Sequence, residues 1–194
     1  MFCIARPKFV VASLLALSLV LTLGSREADA QVKPFKVVGA GIAAKGLPTA
    51  VNVAAPHWAI GVANETGKYY AAGNFQLMQF TGPTTANFSS APDVVFVAAN
   101  GDNLAFTYGV VSNGAKQPGQ VTLTPVGMTP QGGPIFTARF VAEFNPLLAK
   151  CTGRFAKVTG GSFIMIAQTE PFVWGATDPV GYKWQGSGSI VYGK

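Results

Sequence analysis

Glycine and proline recur along this sequence at intervals of roughly 10 to 15 residues, which leaves no room for a long helix. Between the breaks lie runs rich in β-branched and aromatic residues, several alternating with a period of two. This pattern predicts strands over 35–42, 58–62, 68–80, 94–99, 104–111, 120–124, 135–144, 162–168 and 182–192. Long loops are expected at 81–93, 112–119, 125–134 and 145–161, with one short helical turn at 146–149.

Two of these strands show their faces. Over 135–144, Phe136, Ala138, Phe140, Ala142 and Phe144 share one side, and Ile135, Thr137, Arg139, Val141 and Glu143 the other. Over 182–192, Tyr182, Trp184, Gly186, Gly188, Ile190 and Tyr192 oppose Lys183, Gln185, Ser187, Ser189 and Val191. One dry face and one wet face is the mark of an antiparallel sheet. So many short strands must close on themselves or stack to protect their edges. The expected fold is therefore all-β, a single closed antiparallel β-barrel of about eight strands, over residues 31–194. Gly186 and Gly188 suit a tightly coiled barrel corner. With Ala138 and Ala142 between the aromatics, they also predict some open volume in the lumen. Asn100-Gly101 predicts a two-residue type I′ hairpin turn, with both residues at positive φ.

Residues 1–30 read as an address. Arg6 and Lys8 precede an apolar run from Phe9 to Leu23, and Ala28-Asp29-Ala30 supplies small residues at a cleavage site. The run is shorter than the ~20 residues a membrane-spanning helix needs. Cleavage before Gln31 is expected, giving a secreted chain, periplasmic or extracellular, with no stable membrane span. Charge is sparse, at 11% of residues, and the net +6 of the full chain is spread without a basic run. A nucleic-acid partner is not expected, since such a binder clusters its lysines and arginines on one stripe.

Two cysteines and one histidine exclude a disulfide framework and a multi-histidine metal centre. Neither metal nor cofactor is expected. Gly39-Ala40-Gly41-Ile42-Ala43-Ala44 mimics a dinucleotide-binding turn, but Gly46 and Pro48 forbid the helix that such a turn must open. The segment reads instead as a glycine-rich barrel strand. His57 has no designated nucleophile or orienting acid and reads as a structural or solvated residue. Cys151, alone once the leader is gone, reads as a buried small hydrophobe. Asn64-Glu65-Thr66 and Asn87-Phe88-Ser89 fit the glycosylation sequon. Arg139 and Glu143 share a strand face but stand about 13 Å apart, too far to pair. They are exposed charges or polar groups pointing into the lumen.

The order Ala98-Ala99-Asn100-Gly101-Asp102-Asn103-Leu104, then Cys151-Thr152-Gly153-Arg154-Phe155 through Gly160-Gly161, then Tyr182-Lys183-Trp184-Gln185-Gly186 resembles the allene oxide cyclase and dirigent-protein barrels. The likeness covers roughly 90–194 well and 57–89 loosely. It implies an eight-stranded barrel around an apolar cavity and a homo-oligomer, dimer or trimer. No catalytic residue transfers, because the family's polar groups lie in N-terminal strands where the match is weakest. Cavity candidates are Phe136, Phe140, Phe144, Tyr182 and Trp184, with Arg139 and Glu143 as the polar members. The leading expectation is a secreted, non-enzymatic barrel that binds a small apolar molecule or serves as a surface or interaction module. The alternatives are a cofactor-free cyclase-like or dirigent-like enzyme, and a structural protein with a filled barrel.

Overall fold

The computed structural model describes residues 30–109 and 118–194. The expected leader lies outside the described residues, apart from Ala30, as does most of the 112–119 loop. The described chain is all-β. Its strands are β1 (Gln31–Ala43), β2 (Ala55–Ala63), β3 (Gly67–Gly82), β4 (Thr85–Ala98), β5 (Asn103–Tyr108), β6 (Gly119–Met128), β7 (Pro134–Pro146), β8 (Val158–Thr169), β9 (Phe172–Val173) and β10 (Val180–Tyr192).

Every pairing between strands is antiparallel, and the order β3-β2-β1-β10-β8-β7-β5-β4 closes through a β3–β4 pairing. β5 and β6 occupy one place in this ring. β5 pairs with the C-terminal part of β4 and the end of β7, and β6 pairs with the start of β4 and most of β7. β5 and β6 thus share one strand position of the ring. β9 likewise continues the place of β8 beside β7. The ring therefore has eight positions and closes on itself.

All nine expected strands fall on observed ones, most with longer bounds; the one expected at 104–111 is β5, which ends at Tyr108, and residues 110–111 lie outside the described residues. The expected loop at 81–93 is corrected. β3 runs to Gly82 and β4 begins at Thr85, so only a tight turn separates them. Serine, asparagine and proline disguised β4, because its polar groups are satisfied locally. Ser90 Oγ donates to Pro92 O and accepts from Tyr108 N–H, spanning a bulge where Phe75 faces Ser90 but Gly73 faces Val94. The loop at 125–134 shrinks, since β6 reaches Met128. Two 3-10 turns, Leu148–Lys150 and Gly153–Lys157, replace the single turn expected at 146–149.

The 147–157 connection closes one end of the barrel. Phe155 is fully buried in the core. Its flanks are pinned to the β4–β5 hairpin: Asn103 N–H donates to Thr152 Oγ1 at 3.0 Å, and Arg154 N–H donates to Asp102 Oδ2 at 3.2 Å. The Asn100–Asn103 and Thr152–Arg154 segments are thus two halves of one structural clasp.

The hairpin turn also differs from expectation. Ala98 N–H donates to Asp102 O, and Gly101 N–H donates to Ala98 O, both at 2.9 Å. Gly101 has φ of 86°, while Asn52 alone among the described non-glycine residues has positive φ. The loop is therefore three residues, a type I turn followed by a left-handed glycine, and not type I′. Asn100 serves as a side-chain brace, its Oδ1 accepting from Asp102 N–H at 3.2 Å. A Cβ at Gly101 would meet no atom within 4 Å, so only the backbone conformation restricts this position. Gly101→Val should cost about 1–3 kcal/mol, and Gly101→Asn much less, because asparagine tolerates positive φ. Denaturant unfolding of the two variants checks this; equal midpoints would contradict it.

Candidate functional site

The inner faces of the eight positions are unequal. β1 and β2 present mostly small residues, Gly39, Gly41, Ala43, Ala59, Gly61 and Ala63, beside Phe35 and His57, while the other strands supply most of the large aromatics. The contrast is required. A Cβ at Gly39 would collide with Trp184 Nε1 and the Tyr69 hydroxyl, and one at Gly41 with the Tyr182 ring. The Gly-x-Gly segment that mimics a nucleotide-binding turn is therefore the floor on which two aromatics lie.

The lumen is densely filled. Tyr108 stacks on Phe144 at 4.6 Å between centroids, Phe144 lies 4.8 Å from Phe163, and Phe96 stacks on Trp184 at 5.5 Å. Phe163 lies against Gly186 and Gly188 and fills the space over these two glycines. The space that remains, about 50 Å³, sits towards the end of the barrel covered by the 44–54 and 170–179 connections. Phe75, Phe88, Phe140, Met165, Leu47 and Thr169 are among the residues lining it.

One polar cluster meets this space. His57, from β2, is buried between two tyrosines. Its Nδ1 lies 2.9 Å from the Tyr182 hydroxyl, and its Nε2 lies 3.1 Å from the Tyr108 hydroxyl. Tyr108 can donate to Asn74 O at 3.0 Å, and Tyr182 to Trp58 O at 3.2 Å. Asn74 falls at the bulge, where β4 offers it no partner, so its carbonyl is available. A neutral imidazole has one donor and one acceptor nitrogen. Only one tyrosine can then donate to a carbonyl while accepting from His57; the other donates to the ring. The shorter Tyr108–Asn74 bond favours the circuit Tyr182 to Nδ1, Nε2–H to Tyr108, and Tyr108 to Asn74 O, an assignment made from geometry.

Burial holds the imidazole pKa down at about 4, from an ordinary 6.5. Burial pushes the Tyr108, Tyr182 and Tyr69 hydroxyls up. The cluster is therefore neutral over the whole physiological range. It can exchange hydrogen bonds and relay a proton. A second clasp lies beside it: Trp184 Nε1–H donates to the Tyr69 hydroxyl at 2.7 Å, which donates to Val38 O at 3.0 Å.

Phe140, Phe144, Tyr182 and Trp184 line the residual space. Phe136 does not; it lines a separate surface cleft with Phe80, Leu123 and Trp174. Arg139 and Glu143 lie on the outer face of β7, opposite Phe140 and Phe144. Arg139 is exposed and Glu143 is buried there. His57, Tyr108, Phe75 and Phe88 are among the lumen residues not anticipated as such. Cys151 is buried, and burial pushes its thiol up. Asn64 is engaged with β1, accepting from Lys36 N–H at 2.8 Å and donating to Pro34 O at 2.6 Å. Among the described residues, no group of histidine, cysteine and acidic side chains could hold a metal ion.

No protein-family model, curated protein or solved structure matches this chain.

The buried imidazole makes stability depend on pH. Above about pH 6.5, His57 is neutral in both folded and unfolded chains. As pH falls from there towards 4, the unfolded chain takes up the proton and the folded chain does not, so stability drops. Below about 4 both states are protonated and the loss is complete, roughly 3 kcal/mol. The difference in unfolding free energy between pH 7 and pH 4 should be smaller in His57→Gln by about that amount. Parallel pH profiles for the two proteins would contradict the assignment.

Proposed function

We propose that this protein is an exported barrel that binds one compact, mostly apolar molecule at the His57 end of its lumen. The observation that supports this most is convergence. A buried histidine and two tyrosine hydroxyls meet the residual space of an otherwise aromatic interior. Binding sites commonly take this form, an apolar wall with a few placed polar groups. The cover at this end is connecting chain, and Leu47 and the adaptable thioether of Met165 are the wall residues best able to give way. Export is supported by the basic, apolar and small-residue order of residues 1–30.

The chemistry narrows the occupant. Every buried side-chain polar atom among the described residues already has a partner, so the site does not demand a charged ligand. The tyrosine oxygens retain lone pairs, so a neutral molecule with a hydroxyl or N–H donor fits better than a carboxylate.

A second reading has its own observation. About 50 Å³ is a third of the engineered ~150 Å³ cavity that admits benzene, which favours a filled structural barrel. Titration with indole, followed by nuclear magnetic resonance, separates the two. The proposal expects one site per chain, shifts centred on the His57 ring, and at least tenfold weaker binding in Phe140→Trp, which fills the space. Binding only to partly unfolded protein would leave the filled barrel. A cyclase-like or dirigent-like activity, should one be found, would have to fall in His57→Gln, because Glu143 and Arg139 face away from the lumen.

A further inference from the structure

β1 and β2 are unusual in being apolar on both faces. Inward, β2 presents His57, Ala59 and Gly61; outward, it presents Trp58, Ile60 and Val62, which are larger and more apolar. β1 places Val38, Ala40 and Ile42 outward opposite glycine and valine. A strand with a wet outer face alternates, whereas one covered on both sides reads as a nearly continuous apolar run.

The register gathers these side chains into one patch. Ala40 pairs with Ile60 and Ile60 with Tyr70; Ile42 pairs with Trp58; Val38 pairs with Val62. The six largest, Val38, Ile42, Trp58, Ile60, Val62 and Tyr70, keep 37% to 66% of their surface exposed. Together they offer on the order of 500 Å² of apolar surface, at the upper limit for a lone soluble chain. β1, β2, β3, β8 and β10, which are contiguous in the ring, contain no acidic residue. The nearest charges on the patch strands and on β10 are lysines at its border, Lys36, Lys68 and Lys183.

We infer that a second copy of this chain covers the outer face of β1, β2 and β3, with Ile60 near a two-fold axis. The area argues for this occupant. A stable interface buries about 800 Å² per partner, built as an apolar centre with a polar rim. The patch supplies that apolar centre, and Lys36, Lys68 and Lys183 stand at its rim. A two-fold contact sets the same patch against itself, so the uncharged centre meets an uncharged centre and the bordering lysines remain in solvent.

Sedimentation equilibrium of the purified protein tests the inference. The wild type should sediment at twice the chain mass at micromolar concentration, and Ile60→Lys and Tyr70→Glu should each sediment at the chain mass. Their unfolding should remain cooperative, because both side chains point away from the core. Ile164→Lys, an exposed position on the outer face of β8, should remain a dimer. A monomeric wild type, a trimer, or a dimer that survives both patch substitutions would overturn the inference. So would a monomer that binds anionic phospholipid vesicles through Trp58, since a membrane would then be the occupant.

Discussion

Everything in this lumen depends on the contact between bare backbone on β1 and the aromatic rings of β10. Gly39 and Gly41 leave their inner face without side chains, and Trp184 and Tyr182 lie directly on it. An eight-position ring encloses only enough space for its own inward side chains or one small ligand. Large rings on one wall therefore require small residues on the other. The rings also carry polar tips into a dry interior, where an unmet donor is costly. The Tyr69 hydroxyl receives the indole N–H and donates to Val38 O, His57 Nδ1 receives Tyr182, and Asn74 O receives Tyr108. The polar cluster follows from how the barrel is filled.

That cluster ties three separated parts of the ring. His57 comes from β2, Tyr108 from the end of β5 and Tyr182 from the start of β10. Its members are mutually satisfied and neutral, so it is rigid without being charged. Such a group suits recognition of a neutral donor, or stands as a structural keystone. It is less suited to general acid-base work near neutrality, where a pKa close to the working pH serves best. The depressed histidine and raised tyrosines lie on opposite sides of that range.

Most of the fold was legible from the sequence because closure depends on alternation, which β7 and β10 display without ambiguity. The exceptions have physical causes. β4 hid its first half because Asn87, Ser89, Ser90 and Pro92 look like loop residues, although 85–90 pair with β3 and the Ser90 side chain bridges only the bulge that follows. Hydrophobicity inverts β2: its apolar side faces out, and its histidine faces in. Extending the expected strand one residue back would have put His57 in phase with Ala59 and Gly61, the one signal available for it. Tyr108 gave no such signal, since only the ring closure brings β5 opposite β2 and β10. Arg139 and Glu143 attracted notice as charges on a strand, but the alternation that buries Phe140 and Phe144 turns both outward.

The central claim is that His57 is neutral, dry and held between two tyrosines. It is the chain's single histidine, so its ring nitrogens can be observed without ambiguity. Nitrogen-15 spectra recorded from pH 8 down to pH 5 should show one fixed tautomer, with the proton on Nε2 and no titration in that range. A single averaged pair of signals that titrates near the ordinary 6.5 would mean a solvated ring, and would contradict the account.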